Sequence, residues 1–459
     1  MILDSSRMII LTAIAVFLLA VVVTSPALGL PRFEGLVSAL PAGLDTVTLK
    51  WNPAQKEDQN PAGQITYLIY QATESGAENY GNPNYTTKDT SYRVTGLASN
   101  TTYYFVVRAA KDSKGNVDSN RVERSAVTFG RWVEKKTANA PPPRLAHGMT
   151  YDPENRQVIV FGGRNEKNGE MNDAWIYNIV DNTWAQLVPS TPILPSPRSV
   201  RNLAYVDGSI IVVGGLAWGV SPPETLMMNH DAWMYNLNNY SWTPFPPPAD
   251  ALDFGCSPNF VYDSSNNAVV RFGGLRGAEG GHETVTGDTW EFDVTRKTWT
   301  QIFPSTSPSP RKHHAMVYDS TNRKVILFGG ETLIGKSNET WTYDASTDTW
   351  TKMFPAKSPS PRAYHEMAYD SHNRQVILFG GIVSEKNRDI TNETWVYNIA
   401  SNTWIPVSLP NAPSPRFHHG MVYDPVGKKV ILFGGATVIC HEPHCLITTG
   451  FANDTWVYE

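Results

Sequence analysis

Cysteine is almost missing from this chain: Cys256, Cys440 and Cys445 are the only thiols in 459 residues. Charge is thin as well. Asp, Glu, Lys and Arg make up 18% of the residues, and 38 basic against 43 acidic side chains leave a net charge of −5. Without a basic excess there is no electrostatic ground for nucleic acid or an acidic membrane surface as a partner. Long apolar runs come down to one, Met8 to Val23, of 16 residues, against the roughly 20 a spanning helix needs. Arg7 precedes that run. Thr24-Ser-Pro-Ala-Leu-Gly29 follows it, with Ala27 and Gly29 as a small-x-small pair. Residues 1–29 therefore read as a cleaved export signal or, uncleaved, an N-terminal anchor. Either way the remainder is expected to be extracellular or at the cell surface, meeting a membrane only through an uncleaved N-terminal segment.

Tryptophan, glycine and proline are present instead, and they recur in register. Gly-Gly pairs fall at 162–163, 214–215, 273–274, 329–330, 380–381 and 434–435, six copies spaced 52, 59, 56, 51 and 54 residues apart. A copy opens on Pro-Arg (Pro143-Arg144, Pro310-Arg311, Pro361-Arg362, Pro415-Arg416) and carries a His three residues after the Arg: His147, His314, His365, His419. A run such as Met316-Val-Tyr-Asp319 leads into a polar turn, and an apolar run such as Val325-Ile-Leu-Phe328 leads into the Gly pair. After a loop of variable length comes Asp/Glu-x-Trp-x-Tyr, with a second Trp nine residues on, as at Trp175 and Trp184 or Trp341 and Trp350. Twelve of the 14 Trp belong to this pattern.

Apolar, β-branched runs bounded by Gly, Pro, Asn and Asp predict four short strands per copy. Copies of about fifty residues must stack to bury their faces, and a ring of them is a propeller. The last copy lacks its second Trp because the sequence stops at Glu459, while Arg131-Trp132-Val133 stands ahead of the first Pro-Arg. Trp132 is therefore expected to supply the outer strand of the last blade and remove an open edge. These motifs resemble the kelch repeat of β-propellers, in the galactose oxidase-like central domain superfamily, over residues 131–459. The expected fold is all-β, a six-bladed kelch propeller closed by an N-terminal strand. Copies two and three depart from the pattern: Arg201 stands where the His belongs in one, and Gly255 and Pro258 replace Arg and His in the other.

Residues 30–130 read as a separate β domain. Thr46-Val-Thr-Leu-Lys-Trp51, Ile65-Thr-Tyr-Leu-Ile-Tyr70 and Tyr103-Tyr-Phe-Val-Val-Arg-Ala109 alternate as strands, and Tyr103 stands where a tyrosine corner would lock a turn. Trp51, Tyr67, Tyr70 and this corner resemble a fibronectin type III β-sandwich. No Arg-Gly-Asp is present, so integrin-type binding is not implied.

Long loops on a rigid scaffold are where function concentrates. Those after the Gly pairs, 216–230, 275–287, 382–392 and 436–453, point to one end of the central channel. Ligand-binding candidates there are Arg201, which breaks the repeat, and Trp218, the propeller Trp outside it. His147, His314, His365 and His419 join them as a ring, with Arg144, Arg198, Arg311, Arg362 and Arg416. A residue repeated in every copy also reads as structural, which favours Arg201 over the four His. Asp173, Asp231, Asp288, Glu339, Glu393 and Asp454 precede the first Trp throughout, as capping groups for turns and strands would. Cys440-His441-Glu-Pro-His444-Cys445 reads as a disulfide, Cys440 to Cys445, in an oxidising compartment. The weaker alternative is a soft-metal site of Cys440, His441, His444 and Cys445. Cys256 reads as a buried thiol. Asn84-Tyr-Thr86, Asn100-Thr-Thr102, Asn239-Tyr-Ser241, Asn338-Glu-Thr340, Asn392-Glu-Thr394 and Asn453-Asp-Thr455 are glycan acceptors where the host has the machinery.

No catalytic residue and no cofactor is expected. The expected function is a non-catalytic exported binding or scaffold protein that takes a protein or carbohydrate ligand at the channel mouth. Enzymatic alternatives resemble the six-bladed kelch epimerases acting on sialic acid and, more remotely, galactose oxidase. The oxidase needs two His, a Tyr and a Tyr cross-linked to Cys around copper, a set not found in this chain.

Overall fold

The computed structural model describes residues 31–55, 65–110, 117–218, 226–229, 231–245, 259–277, 283–384, 389–437 and 450–459. Among them every regular element is a β-strand. Among the described residues no helix is long and apolar enough to cross a membrane. Residues 1–29 lie outside the described residues, as do Cys256, Cys440, His441, His444 and Cys445.

The chain divides into two compact units. The first takes in Thr48–Val94 and Tyr103–Ala126 with the segment leading to Leu40. It holds a three-stranded sheet of Leu36–Pro41, Val47–Trp51 and Ser91–Val94, and a four-stranded sheet ordered Tyr85–Thr87, Thr66–Ala72, Thr102–Ala110, Glu123–Val127. Alternation places Leu49, Ile69, Phe105 and Val107 in the interior with no exposure. Trp51 and Phe33 pack on Tyr67, with ring centroids 5.3 and 5.5 Å away.

The second unit takes in Val127–Glu459 with two short upstream segments. Among the described residues it contains six four-stranded antiparallel sheets. Their first strands are Gly148–Asp152, Ala204–Val206, Asn259–Asp263, Ala315–Asp319, Glu366–Asp370 and Gly420–Asp424. Each first strand neighbours the next, and the sixth returns to the first. The last sheet borrows its outer strand from upstream: Trp132–Lys135 pairs antiparallel with Thr455–Tyr458, Trp132 opposite Tyr458. This is a kelch-type β-propeller.

Local chemistry explains why the repeat folds this way. At the end of the fourth sheet's first strand, Asp319 turns its carboxylate back on the turn. It accepts from the Thr321 and Asn322 amides at 3.0 and 3.1 Å and from Asn322 Nδ2 at 2.6 Å. That fixes the hairpin to Lys324–Phe328, whose last four side chains are buried. Gly329 and Gly330 then take φ of 70° and 97°. A Cβ on Gly330 would lie 2.8 Å from His314 Cβ, so only glycine fits.

Successive sheets are joined by the outer tryptophans. Nε1 of Trp350, Trp404, Trp132 and Trp184 donates at 3.0–3.1 Å to the hydroxyls of Thr289, Thr340, Thr394 and Thr455 respectively, each on the preceding sheet. Thr340, Thr394 and Thr455, each closing an Asn-x-Thr sequence, are thus buried inter-sheet acceptors, which gives those three sequences a structural cause.

Candidate functional site

The repeated arginines form a clamp inside each sheet. Arg416 is 1% exposed. It donates through Nη1 to the Gly434 carbonyl at 2.9 Å and, bidentately, to the Asp454 carboxylate at 2.7 Å. Trp456 Nε1 donates to the same carboxylate at 2.6 Å. Arg144 with Asp173, Arg198 with Asp231, Arg311 with Glu339 and Arg362 with Glu393 repeat the arrangement. Burial pushes these carboxyls up, but the Arg and Trp hydrogen bonds, led at Glu339 by one from Lys352, outweigh it. All are held below the usual carboxylate range, Glu339 at about 2. The acids before the first Trp therefore do more than cap turns: they anchor the Arg. The third sheet solves the loss of its Arg differently. Arg271, 2% exposed and on the second strand, reaches Asp288 at 3.2 Å. None of the five repeated arginines is free for a ligand.

The four histidines are also withdrawn from that role. His147, His314, His365 and His419 are at most 2% exposed. Each is a wedge between sheets. His147 packs edge-on against Phe433 at 5.4 Å and lies against Gly163 of its own sheet and Gly434 of the neighbouring one. His314, His365 and His419 meet Phe272, Phe328 and Phe379 in the same way. Burial holds these imidazoles neutral, His147 at about 3 and the others well below their ordinary value. The ring expected at the mouth is thus part of the core, because the Gly-Gly pairs leave room only for a flat ring between sheets.

Arg201 is different. It sits at the long-loop end of the channel, and its side chain is 4% exposed. It donates through Nη1 to His313 Nδ1 at 2.8 Å and approaches Glu366 Oε1 through Nη2 at 3.5 Å. Its guanidinium lies 5.6 Å from the centre of the Tyr364 ring. His313 stacks on Tyr364 at 4.0 Å, and His418 meets that ring edge-on at 4.6 Å. Arg201 Nε and His418 Nδ1 are buried without hydrogen-bond partners. Burial pushes the Glu366 carboxyl up to about 7, because one long contact with Arg201 offsets only part of the desolvation. Burial, with Arg201 nearby, holds His313 and His418 well below their ordinary value.

The residues before the wedge histidines build this mouth. Ala146, His313, Tyr364 and His418 have φ of 52–60°. Their amides run in a chain around the channel: Ala146 N to His418 O, His418 N to Tyr364 O, Tyr364 N to His313 O, at 3.0–3.1 Å. Val200 N continues it to Ala146 O at 2.8 Å. His313, Tyr364, His418 and Glu366 escape a repeat-based search because the positions flanking the wedge His vary among the copies. The signal was available in those differences, since bulky polar residues stand where Gly, Ala or Val serve elsewhere. Trp218 ends the short strand Leu216–Trp218, and its side chain lies outside the described residues. The alternative disulfide and metal readings of the 440–445 loop lie there too. Among the described residues no group of three His, Cys, Asp or Glu is arranged to hold a metal ion.

Comparison with known proteins agrees with this geometry. The KLHDC2/KLHL20/DRC7 Kelch-repeats domain matches residues 98–319 and 263–459. The chain belongs to the kelch-repeat family. This kelch chain is 23% identical over 309 residues to mouse multiple epidermal growth factor-like domains protein 8, covering 64% of the chain and 10% of that protein. It is 26% identical over 286 residues to human host cell factor 2, covering 58% of the chain and 34% of that protein. The chain thus spans from a tenth to about a third of these relatives. Among solved structures, that of YjhT aligns with a TM-score of 0.51 and 16% identity, over 66% of this chain and 93% of that one. That likeness speaks to the kelch fold alone.

Proposed function

We propose that this kelch protein is a non-catalytic binding module whose partner is a protein seated on the long-loop end of the channel. The observation that carries the reading is an exposed apolar tip beside the Arg201 cluster. Leu333 and Ile334, 78% and 99% exposed, cap the hairpin of Glu331–Thr332 and Gly335–Lys336. That hairpin pairs with Arg311–Lys312, which runs directly into His313. Large apolar side chains held clear of the surface next to a buried Arg are the makings of an interface anchor. Carbohydrate as the ligand, and an epimerase-like activity, are the finer alternatives; both lean on the polar mouth at Arg201.

The same proposal reads the second unit as a six-bladed propeller spanning residues 131–459. Its support is the closed cycle of first strands and the borrowed Trp132 strand. Residues 30–130 are read as a fibronectin type III domain, supported by the three- and four-stranded sheets around Trp51. Residues 1–29 are read as the export signal, which makes the protein extracellular or cell-surface. The test is partner affinity for Ile334→Asp against Val426→Asp, the latter 63% exposed in a turn at the other end. A tenfold or greater loss for Ile334→Asp alone is expected; equal effects would sink the reading.

A further inference from the structure

The opposite, short-turn end of the channel is a separate cavity, and its argument does not depend on the long-loop reading. Its volume is 570 Å³, within the range of small-molecule sites. Six tyrosines, one per sheet, line it: Tyr151, Tyr205, Tyr262, Tyr318, Tyr369 and Tyr423. Turn residues hold their hydroxyls. Tyr151 donates to Asp424 at 3.0 Å, Tyr262 to Asn267 at 2.8 Å, and Tyr318 and Tyr369 to Ser265 and Thr321 at 2.7 Å. With the hydroxyls tied back, the rings are left to form the wall. Deeper in, Met149, Leu203, Phe260, Met316, Met367 and Met421 make an apolar waist. Glu366 lies at the floor, 14% exposed, its Oε1 toward Arg201. Glu154 and Asp207, both exposed, stand at the rim. No Lys, Arg or His occurs among the described residues that line the cavity.

Aromatic faces attract cations, thioethers and aliphatic side chains accept an alkyl stem, and carboxylates at rim and floor fix the sign of the charge. We propose that this well binds a slender primary alkylammonium, its stem in the methionine-rich waist and its charge on Glu366. The ammonium donates to the carboxylate, sharing it with Arg201, and no covalent step is involved.

The test is calorimetric titration of the full chain at pH 8 with n-hexylamine, 1-hexanol and hexanoate, molecules of one length and three charges. Hexylammonium is expected to bind at least tenfold more tightly than either of the others. Glu366→Gln should abolish that preference. The rim pair Glu154→Gln with Asp207→Asn, at exposed positions that leave the fold intact, should weaken the amine two- to fivefold at low salt and leave hexanol unchanged. Equal binding of all three probes, a preference for hexanoate, no amine binding, or an unaltered preference in the rim variant would each overturn the proposal. Nα-acetyl-lysine methylamide separates the sources: binding as tight as hexylamine marks a partner's lysine side chain, and much weaker binding marks a free amine.

Discussion

Mild acid should destabilise this propeller between pH 7.5 and 5.5, and the buried histidines set the size of the effect. His147, His313, His314, His365 and His419 are each at most 7% exposed. Burial holds all five neutral in the fold. In the unfolded chain each takes a proton near pH 6.5, so lowering the pH below that value favours the unfolded state. At pH 5.5 the cost is about 1.4 kcal/mol for each His, or about 7 kcal/mol for five. Glu366 works in the other direction. Its carboxyl, raised to about 7, is protonated in the fold before it is in the unfolded chain. It therefore adds stability as pH falls from 7 toward 4.5, about 2 kcal/mol at pH 5.5. The Arg-clamped carboxylates, depressed in the fold, lose their contribution only below about pH 4.5, outside this window. A net loss of about 5 kcal/mol between pH 7.5 and 5.5 remains. For a unit of about 330 residues that is a fall in Tm of roughly 7 °C. Calorimetry at the two pH values measures it, and Glu366→Gln should enlarge the fall. A Tm that drops by less than 2 °C, or rises, would refute the neutral, buried placement of the histidines.

Other expectations follow from the clamp and the closure. Arg416→Met leaves Asp454 without its partner and should cost about 2–4 kcal/mol, discounted because the Asp454 side chain is 26% exposed; denaturant titration checks it. Trp132→Ala removes a buried ring and its bond to Thr394. A loss of about 3–5 kcal/mol is expected, with soluble aggregates on gel filtration as the last sheet loses its outer strand. Ser414→Ala, by contrast, deletes a 3.0 Å acceptor for Arg416 at the exposed edge of the clamp. It should shift stability by about 1 kcal/mol or less.

The sheets were legible because their chemistry recurs. Gly-Gly, Asp-x-Trp and paired Trp mark the second, third and fourth strands in copy after copy, and Trp132 was readable as a stray fourth strand. Which repeated polar groups work together was not legible. Arg416 and Asp454 are separated by most of a repeat, and only the fold shows that they share a bond. Arg271 could not be recognised as the substitute for a missing Arg, because it comes from another strand. The wedge histidines looked like a ring at the mouth because a periodic residue reveals its register but not its depth. Arg201 was found as an exception to the pattern. Its partners His313, Tyr364, Glu366 and His418 were missed because they are exceptions too, spread over three copies.

Site-specific photo-crosslinking tests the binding account most directly. A photoreactive residue placed at Ile334, at Val426, or at neither would be activated in the full chain within its native extract. The expected result is a discrete cross-linked protein from Ile334 that is absent from Val426 and lost with Arg201→Ala. Cross-links of equal yield at both ends, or from Val426 alone, would contradict the assignment of the long-loop end as the binding surface.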